Sequence, residues 1–309
     1  MGVLLLGLGS FLLASAALLP LYVYPRVAVL PTDPQVEQVM TAEQATMLVV
    51  DATAPAGARE LRNADVTVTT FVTAAPVAED DVDADTVVWQ FATEVTVAGR
   101  GMTSAQVEWT SLDRRTHETT NCCGDRIVTT ADRSAGEPLQ HKGLVAWPLD
   151  VQKRTYQLWD LQLRGTRPAT YVREERRDGI DTYVFDSVVT RTKVGNIDLP
   201  GGLFGVKDPS VNATSWYADS RRYWIEPATG DVIALRQDQS LTYTYGGRTV
   251  TSFDAELESR RMSDARLDRT RTGALALTWL RGRAAMLLVP LGALLVAGGI
   301  VLLRRRRPE

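Results

Sequence analysis

Two long apolar runs at opposite ends of the chain constrain its fold more than any other feature. Residues 2–23 carry no charged side chain, and neither do residues 284–303. At about 1.5 Å per helical residue, each run can cross the roughly 30 Å hydrocarbon core of a bilayer as a helix. The sequence therefore predicts a transmembrane anchor helix over 1–25 and a second transmembrane helix over 284–303.

Arginines beside the second run indicate how it crosses the membrane. They follow it directly and are Arg304, Arg305, Arg306 and Arg307. Because positively charged residues beside a span are retained on the cytoplasmic side, we expect residues 304–309 to form a cytoplasmic basic tail. The chain before this span would then lie outside the cytoplasm.

The first run has two interpretations. The small residues from Ala14 to Ala16 fit a signal-peptidase site. However, no basic segment precedes the run, and apolar residues continue beyond this site to Val23, which favours an uncleaved anchor. Tyr22 and Arg26 then fit the belt of residues that marks a membrane interface. Both interpretations place the bulk of the chain outside the cytoplasm, and the uncleaved anchor gives a plasma-membrane protein with two spans.

The sequence between the two runs shows the period of two residues that is typical of β-strands. Stretches that alternate, or that are rich in β-branched and aromatic residues, are 65–73, 86–97, 105–112, 181–194, 221–226, 231–245 and 249–257. Turn signals such as Asp178-Gly179 and Gly246-Gly247 separate them. We predict a mainly β (α+β) protein, in which a large curved antiparallel sheet forms an extracytoplasmic domain over 26–262. Transmembrane helices at the N- and C-terminal ends flank this domain.

Two segments are predicted to differ from the sheet. Residues 31–44 are polar and contain Pro31 and Pro34, which favours a stalk after the first span. Residues 263–283 place apolar side chains at helical spacings behind Ser263, which can cap a helix. We expect a juxtamembrane helix there that packs under the sheet and continues into the second span.

Two strand–turn segments resemble each other. In each, an acidic residue precedes a threonine by three positions, Asp113 and Thr116 in the first and Glu226 and Thr229 in the second. Such side chains bond backbone groups in hairpin turns. The likeness indicates either a duplicated half-sheet or the general similarity of strand–turn–strand units.

The only cysteines of the chain, Cys122 and Cys123, are adjacent. Thiols outside the cytoplasm tend to oxidise, so we expect a disulfide between these neighbours. Because it closes almost no loop, the bond would add little stability and would chiefly stiffen one turn. Pairing with another chain, a redox switch and a reduced pair are the alternatives. His117 lies nearby, but adjacent thiolates fit tetrahedral metal geometry poorly, so we predict no metal site.

Sequence motifs for catalysis and for nucleic-acid binding are missing. The chain has only two histidines and lacks the GxSxG, HExxH, P-loop and dinucleotide-binding patterns. Its formal net charge is −3 and it has no basic stripe, which argues against a nucleic-acid partner. We therefore predict that the protein is not an enzyme and needs no cofactor.

Aromatic residues concentrate in the second half of the predicted sheet domain. Our candidates for lining a ligand cavity are Trp147, Tyr156, Trp159, Tyr183, Phe185, Trp216 and Trp224. A strongly curved sheet can enclose an apolar cavity that accepts an acyl chain. The alternative is that these side chains form the ordinary core of the sheet.

The stretch from Gly143 to Phe185 contains the motifs Gly-Leu, Trp-Pro, Lys-x-Thr-Tyr and Trp-Asp. An Asp-Gly turn and a Tyr-x-Phe strand follow them. The residues of the pattern are Gly143, Leu144, Trp147, Pro148, Lys153, Thr155, Tyr156, Trp159, Asp160, Glu174, Asp178, Gly179, Tyr183 and Phe185. In these residues and in its two terminal helices the chain resembles an actinobacterial family of unknown function whose members are often called PorA-type porins. The resemblance implies a protein of the cell envelope. The cysteine pair is not carried over from it.

The porin name is difficult to reconcile with a membrane-spanning β-barrel. Such a barrel needs strands of about ten residues with a continuous apolar face toward lipid. The strands here carry Thr, Gln, Asp and Arg on both faces. Two helical spans alone cannot enclose a pore, although an oligomer could.

Three functions remain as hypotheses, and in all three we expect the membrane to be a partner of the chain. In the first, the protein binds or hands on a hydrophobic cell-envelope molecule, such as a lipid, without catalysis. In the second, it is an envelope scaffold or sensor that docks an envelope protein. In the third, it is a subunit of an oligomeric channel.

Overall fold

A computed structural model describes residues 1–51, 53–54, 56–77, 82–129 and 136–305. The chain divides into two compact units. The β unit comprises Leu30–Leu267, and the helical unit comprises Met1–Val29 together with the chain from Asp268 onward.

Within the described residues, one antiparallel sheet of twelve strands builds the β unit. In chain order the strands are β1 (Val36–Val50), β2 (Ala58–Ala74), β3 (Thr86–Val97), β4 (Gly101–Asp113), β5 (Arg126–Thr129), β6 (Glu137–Pro138), β7 (Tyr156–Asp160), β8 (Gly165–Arg177), β9 (Ile180–Leu199), β10 (Val211–Ile225), β11 (Val232–Tyr245) and β12 (Arg248–Ser259). Across the sheet they follow the order β6-β5-β4-β3-β2-β1-β12-β11-β10-β9-β8-β7. The first and last strands therefore meet in the middle, and the predicted mainly β class is confirmed.

Isolated bridges show that this sheet is strongly curved. Leu112 at the end of β4 pairs with Thr119. Glu118 pairs with Leu144, which also pairs with Leu158 in β7. These pairs connect a strand of one half of the sheet to β7, the strand at the far edge of the other half. A flat sheet could not bring them together, so the predicted curvature is confirmed.

The main hydrophobic core lies on the inner face of the curved sheet, between its two halves. Because successive side chains of a strand point to opposite faces of the sheet, every second side chain points to this face. The buried members are Met40, Ala42, Ala45, Met47, Val49, Ala64, Val66, Val97, Trp147, Val151, Tyr156, Leu158, Ala169, Phe185, Tyr223, Ile225, Leu235, Ala255 and Leu257. Full burial of one large apolar side chain, such as Phe185, contributes roughly 2 kcal/mol.

A second cluster lies on the outer face of β9, β10 and β11. Val184 belongs to it, whereas its neighbour Phe185 faces the main core. Leu267 in the first turns of α3 (Asp264–Thr278) is buried in this outer cluster together with Met262. The start of the predicted 263–283 helix therefore packs on the sheet.

The predicted stalk over residues 31–44 is wrong for most of its length. Residues from Val36 belong to β1, which pairs with β2 on one side and with β12 on the other. Its polar side chains occupy the outer face, while residues such as Met40 and Met47 are buried. A register irregularity between Ala42 and Ala45 interrupts the alternation, which hides the strand from a period-two pattern.

The two similar turns form as the sequence predicts. Asp113 accepts hydrogen bonds from the N–H groups of Arg115 and Thr116, at 2.8 and 2.7 Å. Glu226 accepts one from the N–H of Thr229 at 2.7 Å. An acidic side chain therefore satisfies backbone donors in each turn.

The helical unit contains α1 (Gly2–Leu18), a π-helical turn (Leu19–Val23) and α2 (Tyr24–Val27). After α3, a second π-helical turn (Trp279–Arg283) leads into α4 (Ala284–Arg305). In the part of the chain that the structure describes, two helical stretches are long and apolar enough to cross a membrane, Gly2–Val27 and Asp264–Arg305. The predicted apolar helices at both ends are confirmed. Arg306 and Arg307 of the predicted basic tail lie outside the described residues.

Glycines bring α1 and α4 into close contact. A Cβ atom on Gly9 would lie 2.7 Å from the carbonyl oxygen of Gly292, and one on Gly292 would lie 2.9 Å from that of Gly9. Gly2 and Gly299 approach each other in the same reciprocal way. Gly2 at the start of α1 contacts Gly299 near the end of α4, whereas Gly9 further along α1 contacts the earlier Gly292. The two helices are therefore antiparallel. Small residues allow such backbone approach between membrane helices.

Candidate functional site

The cysteine pair lies in the segment that closes the curved sheet. This closing segment, residues 114–145 apart from 130–135, leads from β4 toward β7 and contains the bridging residues Glu118 and Leu144. Contacts made by this segment hold the two halves of the sheet together.

Cys122 and Cys123 are joined by a disulfide at the surface of the closing segment. Cys122 is exposed and Cys123 is half-buried. The N–H of Cys122 donates to the Ser111 hydroxyl oxygen at 3.1 Å, and the Thr120 hydroxyl lies 3.4 Å from the Cys122 sulfur. The preceding Asn121 adopts a φ of 53°, in the left-handed region that asparagine tolerates. The disulfide turn is therefore anchored to β4 through Ser111.

Beneath the disulfide turn, His141 lies between two carboxylates. Its Nδ1 is 2.8 Å from Asp125, and its Nε2 is 2.8 Å from Glu108. Burial lowers the pKa of His141, but the hydrogen bonds and charges of Asp125 and Glu108 outweigh it and raise the pKa to about 9. The imidazolium form therefore predominates at neutral pH.

Further hydrogen bonds extend this cluster in both directions. Asp125 accepts from the Ser111 N–H and, at 2.6 Å, from the Ser111 hydroxyl. Glu108 also accepts from the indole N–H of Trp159 in β7 at 2.8 Å. The side chain of Asn121 both donates to and accepts from the His141 backbone. A continuous chain of contacts thus runs from the disulfide turn to the edge strand β7.

The other histidine is also buried. Nδ1 of His117 lies 3.1 Å from the backbone oxygen of Trp147, and Nε2 has no hydrogen-bond partner among the described residues. Burial lowers the pKa of His117, so the neutral ring is favoured. Within the described residues, no group of three or more His, Cys, Asp or Glu side chains could hold a metal ion.

A second polar cluster is centred on Arg167, whose side chain is fully buried in the β unit. Its guanidinium contacts Asp160 at 3.0 Å and Asp219 at 2.6 Å. The Tyr217 hydroxyl donates to these carboxylates, and Arg221 adds a second positive charge at the edge of the cluster. The two positive and two negative charges balance, which a buried ionic cluster requires. The cluster ties β7, β8 and β10 together.

The seven aromatic candidates occupy several separate places. Trp147, Tyr156 and Phe185 contact one another in the main core, with ring centroids 4.6 to 5.8 Å apart. Tyr183 packs edge-on against Tyr171 beside this core. Ligand binding by these side chains stays a prediction.

The other three aromatic candidates lie elsewhere. Trp159 packs against His141, and Arg191 stacks on Trp216 at 4.1 Å. Trp224 belongs to the outer cluster and donates to Glu175. The structure therefore brings only part of the predicted set together.

A groove at one end of the sheet was not predicted. This tip groove has a volume of about 680 Å³ and lies between the β1–β2 hairpin, the start of β12 and the 3-10 turn Gly201–Phe204. The lining residues are Asp51, Thr53, Ala54, Ala56, Ala58, Arg59, Glu60, Gly202, Leu203, Thr249 and Val250. A Cβ atom on Gly202 would lie 3.1 Å from the Cβ of Ala56, so the 3-10 turn packs closely against the β1–β2 hairpin.

The charged groups of the tip groove are held in place. Asp51 accepts from the Thr53 hydroxyl and from Arg59, which lower the pKa of Asp51 to about 2. Burial raises the pKa of Glu60, but the N–H of Thr251 and the neighbouring Arg62 outweigh it and lower that pKa. Both carboxyl groups are therefore ionised at neutral pH.

The fold defines a class of protein in which a curved antiparallel sheet is combined with two helices that could cross a membrane. The sequence matches the family model described as Porin PorA over residues 1–301. A protein named Porin PorA from Corynebacterium resistens is 22% identical in an alignment that covers 68% of this chain and 69% of the relative. The chain belongs to the Porin PorA family. The resemblance found between Gly143 and Phe185 is thus confirmed.

Proposed function

We propose that the protein sits in the plasma membrane through two helical spans and exposes its β unit outside the cytoplasm. There it holds a hydrophobic molecule of the cell envelope without changing it chemically. Arg304 and Arg305 in the last turn of α4 support this orientation, because arginines at the end of a span stay on the cytoplasmic side. The antiparallel contact of α1 with α4 supports a hairpin of two spans.

The tip groove is the observation that carries the ligand proposal. Its walls contain the apolar side chains of Ala54, Ala56, Ala58, Leu203 and Val250. Its charged residues already hydrogen-bond within the protein, and polar and apolar groups share the lining. Ligand pockets of a few hundred Å³ combine apolar walls with polar groups that orient the ligand. An acyl chain with a polar head matches this lining.

The groove lies at one end of the central strands of the β unit. The chain enters the β unit at Leu30 and leaves it at Leu267, near the start of β1 and the end of β12. The groove lies at the opposite end of these strands. β1 has 15 residues, so its two ends are at most about 50 Å apart at roughly 3.3 Å per residue.

The absence of catalysis is part of the proposal. Both histidines are buried, and His141 is engaged by carboxylates on both ring nitrogens. The carboxylates of the tip groove are ionised and paired, which suits binding better than proton transfer.

Lipid uptake by the full chain tests this function. Delipidated protein in detergent is titrated with a fluorescent fatty acid, alongside the variant Ala56→Trp, which fills the groove. We expect the unaltered chain to bind and Ala56→Trp to bind at least about tenfold more weakly, since a filled groove removes most of the apolar contact.

The matched control is Ala98→Trp, an exposed alanine in the β3–β4 turn that does not line the groove. It should bind like the unaltered chain. Equal binding by all three proteins, or no uptake by the unaltered chain, would refute the groove as a lipid site.

A channel is the second candidate, and the family match favours it because the relative is named a porin. The outer face of the sheet carries charged rows such as Arg236, Asp238, Glu256 and Glu258, which do not suit contact with lipid. A pore would therefore have to form between helices of several copies. Stepwise conductance of purified protein in planar bilayers, unchanged in Ala56→Trp, would support the channel over lipid handling.

A further inference from the structure

We propose that the Cys122–Cys123 disulfide is a thiol–disulfide exchange site that accepts electrons from a protein dithiol. This inference does not rest on the lipid-binding proposal. It concerns the disulfide between the two cysteines of the chain, which has no role in the lipid-binding proposal.

Access to the bond is the first argument. Cys122 is exposed at the surface of the closing segment, so a thiolate can approach its sulfur from solvent. The bond joins neighbours in the sequence, so it constrains the unfolded chain very little. We therefore expect reduction to leave the fold intact, so that the bond can open and close in the folded protein.

The surroundings of the sulfur are the second argument. The Thr120 hydroxyl is 3.4 Å from the Cys122 sulfur and can donate to it. A hydrogen-bond donor stabilises a thiolate and so eases its departure from a mixed disulfide.

The exchange proceeds in two balanced steps. One thiolate of the dithiol attacks the Cys122 sulfur, the bond to Cys123 breaks, and Cys123 leaves as a thiolate that takes up a proton. The second thiol of the partner, as a thiolate, then attacks the partner's first sulfur, which is bonded to Cys122 in the mixed disulfide. Cys122 leaves as a thiolate, stabilised by Thr120, and is protonated. Two electrons and two protons have moved, and the partner departs as a disulfide.

The anchoring of the turn makes this exchange reversible. Ser111 holds the N–H of Cys122, and Asn121 is fixed to the backbone of His141 on the other side. These contacts do not involve the sulfur atoms, so they persist in the dithiol form. They keep the two thiols side by side, ready to be oxidised again.

Reduction of the full chain in lipid nanodiscs tests the proposal. Reduced thioredoxin and, separately, dithiothreitol are added to the native protein, and free thiols are counted by mass spectrometry after alkylation. We expect two alkylated cysteines with unchanged far-ultraviolet circular dichroism, and recovery of the disulfide on addition of oxidised dithiothreitol. Resistance to both reductants until urea unfolds the protein would overturn the proposal.

Two pairs of variants sharpen the result. Thr120→Val should slow reduction roughly three- to tenfold by removing the donor, whereas Thr119→Val should not. In Cys123→Ser, the exposed Cys122 thiol should form a mixed disulfide with oxidised glutathione faster than Cys123 does in Cys122→Ser. Equal rates within either pair would contradict the assigned roles of Thr120 and Cys122.

Discussion

At the scale of single residues, charge pairs inside the β unit decide how the sheet closes. His141 is a positive charge between Asp125 and Glu108, and Glu108 holds Trp159 of β7. Removing the proton from His141 leaves two carboxylates facing a neutral ring that can donate only one hydrogen bond. The closure of the sheet is therefore linked to the protonation of one histidine.

Alkaline pH should weaken the β unit through His141. The folded-state pKa of about 9 lies above the ordinary value of 6.5, so the stabilisation is fully present below pH 6.5 and disappears as the pH rises through 9. We expect the free energy of unfolding to fall by about 3 kcal/mol between pH 6.5 and 10. Urea unfolding of the full chain in detergent, followed by tryptophan fluorescence, measures this change.

The variant His141→Gln is the control for that pH dependence. Glutamine does not titrate, so the stability of the variant should be lower at pH 6.5 but flatter up to pH 10. An equally steep decline in the variant would show that another group causes it.

The buried arginine provides a second test at this scale. Arg167→Met leaves Asp160 and Asp219 buried with Arg221 as their only neutralising charge, so we expect a loss of about 3–5 kcal/mol in unfolding free energy. Arg173→Met, on the same strand, breaks a half-exposed ion pair and should cost about 1 kcal/mol or less. Equal losses in the two variants would contradict a structural role for the Arg167 cluster.

The sequence predicted some of these residues and not others. The disulfide is predicted because Cys122 and Cys123 are adjacent and because we expect this part of the chain to lie outside the cytoplasm. Arg167 and Asp219 look like ordinary surface charges in alternating strands, because alternation does not tell which face is inside a closed sheet. Their burial depends on pairing across strands that are distant in the chain, which one sequence does not display.

At the scale of elements, the strands were predicted where the alternation is regular. The predicted stretches 86–97 and 231–245 agree with β3 and β11 almost residue for residue. The sequence predicts a stalk where β1 begins, because the outer face of β1 is polar and its register irregularity breaks the alternation of apolar residues. β8 was missed because Pro168 and a dense run of charges conceal a strand whose inner residues Arg167 and Ala169 are buried.

The contact between α1 and α4 leads to a prediction for the helical unit. Gly9→Leu places a side chain where a Cβ atom alone would lie 2.7 Å from the Gly292 carbonyl oxygen. We expect it to separate the helices and to cost about 1–3 kcal/mol, as overpacking does elsewhere. Thermal unfolding in detergent, with distances between spin labels on α1 and α4, measures both effects.

Gly7→Leu is the matched control on the same helix. A Cβ atom at Gly7 would meet nothing within 4 Å, so this variant should keep the spacing and stability of the unaltered chain. Equal disturbance by both substitutions would show that helix propensity or lipid contact, and not the glycine contact, determines the result.

At the scale of the whole molecule, the sheet consists of two halves that meet at β1 and β12. The similar turns at Asp113 and Glu226 lie one in each half, as a duplication would place them, although general turn chemistry gives the same hydrogen bonds. The class and the terminal helices could be predicted because they depend on local periodicity and composition. The strand order and the tip groove could not, since both depend on long-range pairing.

The central claim is that two antiparallel spans keep both chain ends in the cytoplasm and present the β unit outside it. Labelling with a membrane-impermeant maleimide tests this directly, in a Cys122→Ser, Cys123→Ser background with one new cysteine at Gly247 or after Glu309. In intact protoplasts, we expect labelling at position 247 and none after Glu309 until the membrane is permeabilised. Labelling after Glu309 alone would contradict it.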